Sequence, residues 1–152
     1  MSKARLKSKN ILGIAEGGTG ATSMGAGAVG AVAQAAGIPT GAIIESGSNA
    51  TGEYIRYADG TQICTRTVTL TNFAVNNVIG SLFYGSSTAL TFAMPFISAP
   101  FAKIEAIGSG FAYMVGGFSP STTVTGTYVI MSPSSVASVT LTIRIFAIGR
   151  WF

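Results

Sequence analysis

The sequence predicts a mainly β protein. It should form a small antiparallel sandwich of about seven strands, set behind an extended Gly/Ala-rich stem with at most a short helix. Three observations predict this. Apolar and polar residues alternate in short runs through the C-terminal part of the chain, as half-buried strands require. Turn dipeptides and Gly/Ser clusters separate those runs every ~8–12 residues, the spacing of a sandwich. Residues 11–52 show neither signal and are dominated by Gly, Ala, Ser and Thr.

Composition thus divides the chain into a basic tail (1–10), a stem (11–52) and a sandwich (53–152). The tail holds Lys3, Arg5, Lys7 and Lys9. Beyond it Arg56, Arg66, Lys103, Arg144 and Arg150 balance Glu16, Glu45, Glu53, Asp59 and Glu105, so the net charge of +4 belongs to the tail. Such a tail is either a solvated end or an arm that docks on an acidic surface of a larger assembly. Basic residues do not gather on one face of a folded element, so nucleic acid is not an expected partner.

In the stem, Ile11–Ala15 is cut off by Glu16 and the glycines that follow, and Met24–Ile38 is Gly-rich and bounded by Pro39. A membrane helix needs ~20 apolar residues in a row. Neither a signal peptide nor a membrane insertion is expected. Ala28–Ala36 has the length of a short helix. However, Gly25, Gly27, Gly30 and Gly37 each cost about 1 kcal/mol against Ala, so a helix here would need identical neighbours to pack on.

Glu53–Tyr57 and Gln62–Leu70 flank Asp59-Gly60, a hairpin-turn dipeptide. The second arm sets Thr65, Thr67, Thr69 and Thr71 on one face and Arg66, Val68 and Leu70 on the other. Val78–Tyr84 follows, then a turn at Gly85-Ser86-Ser87. Thr88–Met94 alternates with Leu90, Phe92 and Met94 on one face. Pro95 and Pro100 bracket a loop before Phe101–Ile107, where Ala102, Ile104 and Ala106 oppose Lys103 and Glu105. Phe111–Val115 and Val124–Met131 are further strands. Val139–Ile148 is the longest, with Val139, Leu141, Ile143 and Ile145 facing in.

Only 9% of the residues are charged, against ~25% in an average soluble protein. The Trp151-Phe152 terminus, with Phe146 and Ile148 beside Arg144 on the outer face of the last strand, would be an aggregation liability on a lone chain. A homo-oligomer is expected, in preference to a monomer whose own core takes these aromatics.

Chemistry is sparse. One Cys and no His exclude, within one chain, a His/Cys zinc site, a Ser-His-Asp or Cys-His nucleophile and a disulfide framework. No metal and no cofactor are expected. Gly25–Gly30 spells G-x-G-x-x-G, but without a preceding strand or a βαβ unit it is no dinucleotide site. Paired carboxylates would have to come from Glu53, Asp59 and Glu105. Asp59 reads as a turn residue and Glu105 as an ion-pair partner of Lys103, so the chain is expected not to be an enzyme. Asn49-Ala50-Thr51 fits the glycosylation pattern, with no secretion signal to support its use. The better functional resource is uncharged. Tyr84, Phe111, Tyr113, Phe118 and Trp151 offer faces to sugar rings, and Asn72, Asn76 and Asn77 offer donors and acceptors without charge.

Two stretches resemble a known family. Ile14-Ala15-Glu16-Gly17-Gly18-Thr19-Gly20-Ala21-Thr22 is similar to the repeated motif of bacteriophage tail fibres. Gly41 to Cys64, with Glu53-Tyr54-Ile55-Arg56-Tyr57-Ala58-Asp59-Gly60, resembles the segment before many fibre-tip domains. Leu90–Phe96, Ala99-Pro100 and Val139–Gly149 are similar to the H-type lectin-like domain found at such tips. The resemblance implies a homotrimeric tail fibre on a virion, made in the host cytoplasm. Its N-terminus would be held by a virion tail or baseplate protein, through Lys3, Arg5, Lys7 and Lys9. Its tip would bind a bacterial surface glycan such as lipopolysaccharide or capsule. The alternatives are a structural virion decoration without ligand and a polysaccharide depolymerase.

Strand parity places the expected receptor site. If all strands alternate in direction, Thr71–Asn77, Pro95–Pro100, Gly116–Thr123 and the C-terminus lie far from the stem. Gly85–Ser87, Gly108–Gly110 and Ser132–Ser138 lie near it. The candidate receptor-binding residues are therefore Asn72, Phe73, Asn76, Asn77, Phe118, Ser121 and Thr122.

Overall fold

A computed structural model describes residues 28–108 and 113–152. The basic tail, with Lys3, Arg5, Lys7 and Lys9, and the Ile14–Thr22 motif lie outside the described residues. The strands are β1 (Gln34–Ala35), β2 (Ile38–Pro39), β3 (Ile44–Asn49), β4 (Gly52–Tyr57), β5 (Thr61–Val75), β6 (Asn77–Ile79), β7 (Leu82–Ser87), β8 (Phe101–Ile107), β9 (Met114–Gly116), β10 (Tyr128–Ser132) and β11 (Val136–Arg150). They form a five-stranded sheet, β3-β4-β5-β11-β8, a four-stranded sheet, β6-β7-β10-β9, and the small β1-β2 hairpin. All these pairs are antiparallel. The expected sandwich is present. Its large sheet already begins at Ile44, so residues 44–49 are an edge strand although their composition matches the stem.

Alternation sets the core. Along β11 Leu141, Ile143, Ile145 and Ala147 are buried, and from β8 Ile104 and Ala106 join them. From the small sheet come Tyr128 and Ile130. The threonine face of β5 is exposed at Thr65, Thr67, Thr69 and Thr71, as expected. Asp59-Gly60 makes the β4–β5 turn, with Gly60 at φ +91°, where a side chain is strained.

The short helix considered for Ala28–Ala36 does not form from Val29 to Ala36. Gln34 and Ala35 pair instead with Pro39 and Ile38 around Ala36-Gly37, both at positive φ (50° and 82°). That is the backbone of a tight hairpin turn, and Gly37 takes it without a Cβ penalty. This N-terminal segment sits at one end of the large sheet: the Gly30 amide donates to the Ile44 carbonyl and the Ala58 amide to the Ile43 carbonyl. Glu45 ties it down further, accepting from the Val32 amide and the Tyr54 hydroxyl.

Thr88–Met94 is not a strand. Its one bridge joins Thr91 to Val124. Phe92 and Ala93 are both buried, which strand alternation does not allow. The segment is instead held by side chains from the large sheet acting on successive carbonyls. Arg66 donates to Thr91, Thr51 to Phe92, Asn49 to Ala93, and Gln62 to both Met94 and Pro95. Gln62 is fully buried, and its own carbonyl accepts from Arg56 Nε at 2.8 Å. Asn49, read as a possible glycan acceptor, is used in this lattice: its amide nitrogen lies 2.7 Å from the Ala93 carbonyl.

Losing that strand reverses the described loops that follow it. β8 starts beside the end of β11, with Phe101 opposite Ile148, and runs to Ile107 opposite Thr142. Pro95–Pro100 therefore lies at the end where the N-terminal segment enters, and so do the C-terminus and Gly116–Thr123. The Ile97 amide donates to Arg150, and the Phe96 amide to Thr122. Ser132–Ser138, expected near the stem, lies at the opposite end with Thr71–Asn77, because Val136 pairs with Val75.

The C-terminal pair closes on its own chain. The Trp151 indole donates to the Tyr57 carbonyl at 2.9 Å, and Trp151 packs edge-on to Phe152 at 4.5 Å. The Arg56 guanidinium lies over the indole at 5.4 Å. Both aromatics are half-buried, so the terminus is no bare apolar surface.

Candidate functional site

The site begins with a pair of irregularities in the longest ladder. Leu70 and Phe73, three residues apart on β5, oppose Leu141 and Val139, two apart on β11. One residue is therefore extra on β5. On β11, Val136 and Val139 are three apart and oppose Val75 and Phe73, two apart, so the next extra residue is on the other strand. Leu70, Phe73 and Val75, like Leu141, Val139 and Val136, stay on the core side through this change of parity. Bulges of this kind bend a strand and re-aim its side chains. Asn72 occupies the bulge at φ +53°, a conformation Asn accepts better than most residues. Its side-chain oxygen accepts from the Ser138 hydroxyl across the strands at 3.4 Å.

The bend opens a depression of about 650 Å³ at the end of the sandwich away from the N-terminal segment. Thr69, Thr71, Asn72, Asn76, Asn77 and Ser86 supply its polar lining, and Phe73 and Gly85 form part of its wall. Asn77 donates to the Tyr84 carbonyl at 3.2 Å, which orients its amide. Gly85 is required by space: a Cβ there would come within 2.2 Å of the Ala74 carbonyl oxygen and 2.7 Å of the Phe73 ring. None of the residues lining the depression is ionisable.

Of the candidate residues, Asn72, Phe73, Asn76 and Asn77 are brought together here. Phe118, Ser121 and Thr122 are not: they sit at the opposite end, in the loop whose backbone holds Phe92 and Phe96. The Ser121 hydroxyl accepts from the Thr123 and Val124 amides of its own turn. Phe73 and Phe118 are half-buried and packed against the core, so each closes an end of the sandwich. Sequence reasoning missed Thr69, Thr71 and Ser86. The first two were legible as the end of the exposed threonine face. Ser86 was not, since it reaches the site through the crossing of β7 over β5.

The carboxylates are dispersed. Asp59 accepts from the Thr61 amide at 2.8 Å and from its hydroxyl at 3.1 Å, and these bonds, the amide first, hold its pKa below the ordinary carboxylate range. The Glu45 bond and burial raise the pKa of the Tyr54 phenol above its usual value. Glu105 stands across from Arg144 on the neighbouring strand. Burial pushes the Cys64 thiol up, so it resists ionisation in its place in the core. No group of three metal-ligating side chains occurs among the described residues, and no helix there is long and apolar enough to cross a membrane.

No protein-family model and no curated protein sequence matches the chain. Several solved structures resemble it at low identity. An N-truncated R1-type pyocin tail fibre has 22% identity and a TM-score of 0.45, over 70% of this chain and 84% of that one. The tailspike gp61 of Pseudomonas phage phi297 has 14% identity and a TM-score of 0.44, over 59% of this chain and 16% of that one. A longer R1 pyocin fibre of P. aeruginosa has 22% identity and a TM-score of 0.43, over 93% of this chain and 35% of that one. The chain thus spans about a third of that longer fibre.

Proposed function

We propose that this chain is the receptor-binding tip of a phage-type tail fibre, a homotrimer on the virion that binds a bacterial surface glycan. The observation that carries the reading is the uncharged depression around Asn72, Asn76 and Asn77, at the end remote from the entering N-terminal segment. A fibre meets its host with the end remote from its attachment. Amides and hydroxyls pair with sugar hydroxyls in both directions, and they do so without an ion to desolvate. The fibre-like motif at Ile14–Thr22 and the segment Gly41–Cys64 support the same reading from sequence. The basic tail is the proposed attachment to a virion tail protein. The lack of an ionisable group in the depression favours binding over glycan cleavage, which needs two carboxylates at a set separation.

The test is binding of the purified protein to bacterial cells and to immobilised neutral and acidic surface polysaccharides. Neutral glycan should be retained, and Asn76→Ala with Asn77→Ala should abolish retention while the remote pair Ser121→Ala and Thr122→Ala leaves it. Failure to bind any cell or glycan by an intact oligomer would make the chain a structural virion piece. Shortening of the polysaccharide on incubation would make it a depolymerase.

A further inference from the structure

The outer face of the five-stranded sheet is ordered in rows across the strands. One row is Ser46, Ile55, Ile63, Ile148 and Phe101, the next Ser48, Glu53, Thr65, Phe146 and Lys103. Arg144 then stands between Thr67 and Glu105, and the last row is Thr69, Thr142 and Ile107. The first row is almost wholly apolar and lies at the end where the N-terminal segment enters. Phe101 is 72% exposed, Phe146 43% and Ile55 36%. A cluster of large apolar groups with a polar surround marks an interaction surface. On the other sheet the central Tyr84, Val129 and Met131 are half-buried, and the exposed apolar residues Val78, Ile79 and Met114 lie on its edge strands β6 and β9.

We propose that copies of this chain meet through this face, in a parallel ring where the β3–β4 side of one copy abuts the β8 side of the next. The inference rests on the trimeric reading above and adds the face and the register. Charge decides the occupant. Glu53 and Glu105 balance Lys103 and Arg144, so a strongly charged foreign partner gains nothing, while another copy brings the complement. Glu53 and Lys103 stand in the same row, Lys103 on the edge strand β8 and Glu53 on β4, one strand in from the other edge. Rotation about an axis along the strands keeps every row at its level, so Glu53 of one copy comes level with Lys103 of the next. Such a heterologous contact closes into a ring. A two-fold axis across the strands would instead reverse the rows and set Phe101 against the threonines of the last row. The ring also brings the N-terminal segments together at one end, as a common stem requires.

Light scattering on the full chain tests the face. Phe101→Glu with Phe146→Glu should reduce the mass from the oligomer to the 15.5 kDa of one chain. Met131→Glu, on the other sheet, should leave it unchanged. Lys103→Glu should raise the concentration for half-dissociation at least about tenfold, and adding Glu53→Lys should restore the parental value. These two charged positions are exposed, so the pair decides the matter if the phenylalanine variant does not fold. Parental mass in a folded phenylalanine variant, no rescue by the double charge exchange, or dissociation by Met131→Glu alone would overturn the proposal. A monomeric parent would overturn the trimeric reading itself. An intact ring that binds no cell would leave this face standing and remove the receptor function.

Discussion

Residues 88–95 and 101–107 carry the same alternation and end as different structures. Phe101–Ile107 is a strand because β11 lies beside it with a free edge, and its inward Ile104 and Ala106 meet the core. Thr88–Met94 has no such edge to join, and its carbonyls are satisfied one after another by Arg66, Thr51, Asn49 and Gln62. Alternation tells which side chains seek the core. Whether a strand results depends on what stands next to the backbone, and polar side chains can occupy that place. The two regions should therefore fail differently: the strand through lost volume, the loop through lost donors.

The largest expected effect is on the strand. Ile104→Ala should cost about 3 kcal/mol by leaving a cavity at a 6% exposed position, read as a fall in the denaturation midpoint with an unchanged slope. An equal cost from Ile104→Val would show that volume is not what holds β8. In the loop, Gln62→Leu keeps the bulk but strands two carbonyls and Arg56, and should cost about 2 kcal/mol. It should also speed amide exchange at Phe92 and Phe96, whose bonds to Thr123 and Thr122 depend on the loop's position. Thr51→Val, with one donor lost, should cost about 1 kcal/mol. A neutral Gln62→Leu would mean that apolar packing alone fixes the loop.

The smallest effect concerns the β4–β5 turn, next to the strands whose side chains hold the loop. The Asp59 carboxyl titrates below its ordinary value of 3.8 in the folded chain. Its contribution is complete above the unfolded pKa and is lost as the pH falls through the folded one. Asp59→Asn should lower the neutral plateau of the stability curve slightly, flatten its acid limb, and leave stability at low pH nearly unchanged. A change confined to alkaline pH would contradict this assignment.

Much of the fold was legible because burial and period agree along β8 and β11. The β4–β5 hairpin was legible because Asp59-Gly60 admits few other structures. Thr88–Met94 misled because five neighbouring carbonyls find side-chain donors far away in sequence, and no local pattern reports that. One false strand then moved Phe118, Ser121 and Thr122 to the wrong end. Asn72, Asn76 and Asn77 escaped the error because their loop precedes it. The hairpin at Gln34–Pro39 was hidden by composition, since small residues suit a turn, a helix or a coil alike.

The opposed bulges at Asn72 and Ser138 also separate the end of the sandwich from its body. Each adds one residue to one strand, and the two additions cancel, so the pairing frame beyond them matches the frame before. Deleting one alone would turn Phe73 and Val75 outward, or Val136, and empty that end of the core. Removing both would preserve the frame and straighten the bend. The depression can thus be reshaped by matched changes in two short segments while the ladder from Thr61 to Leu70 keeps its partners, so this joint lets the end of the sandwich vary independently of its body.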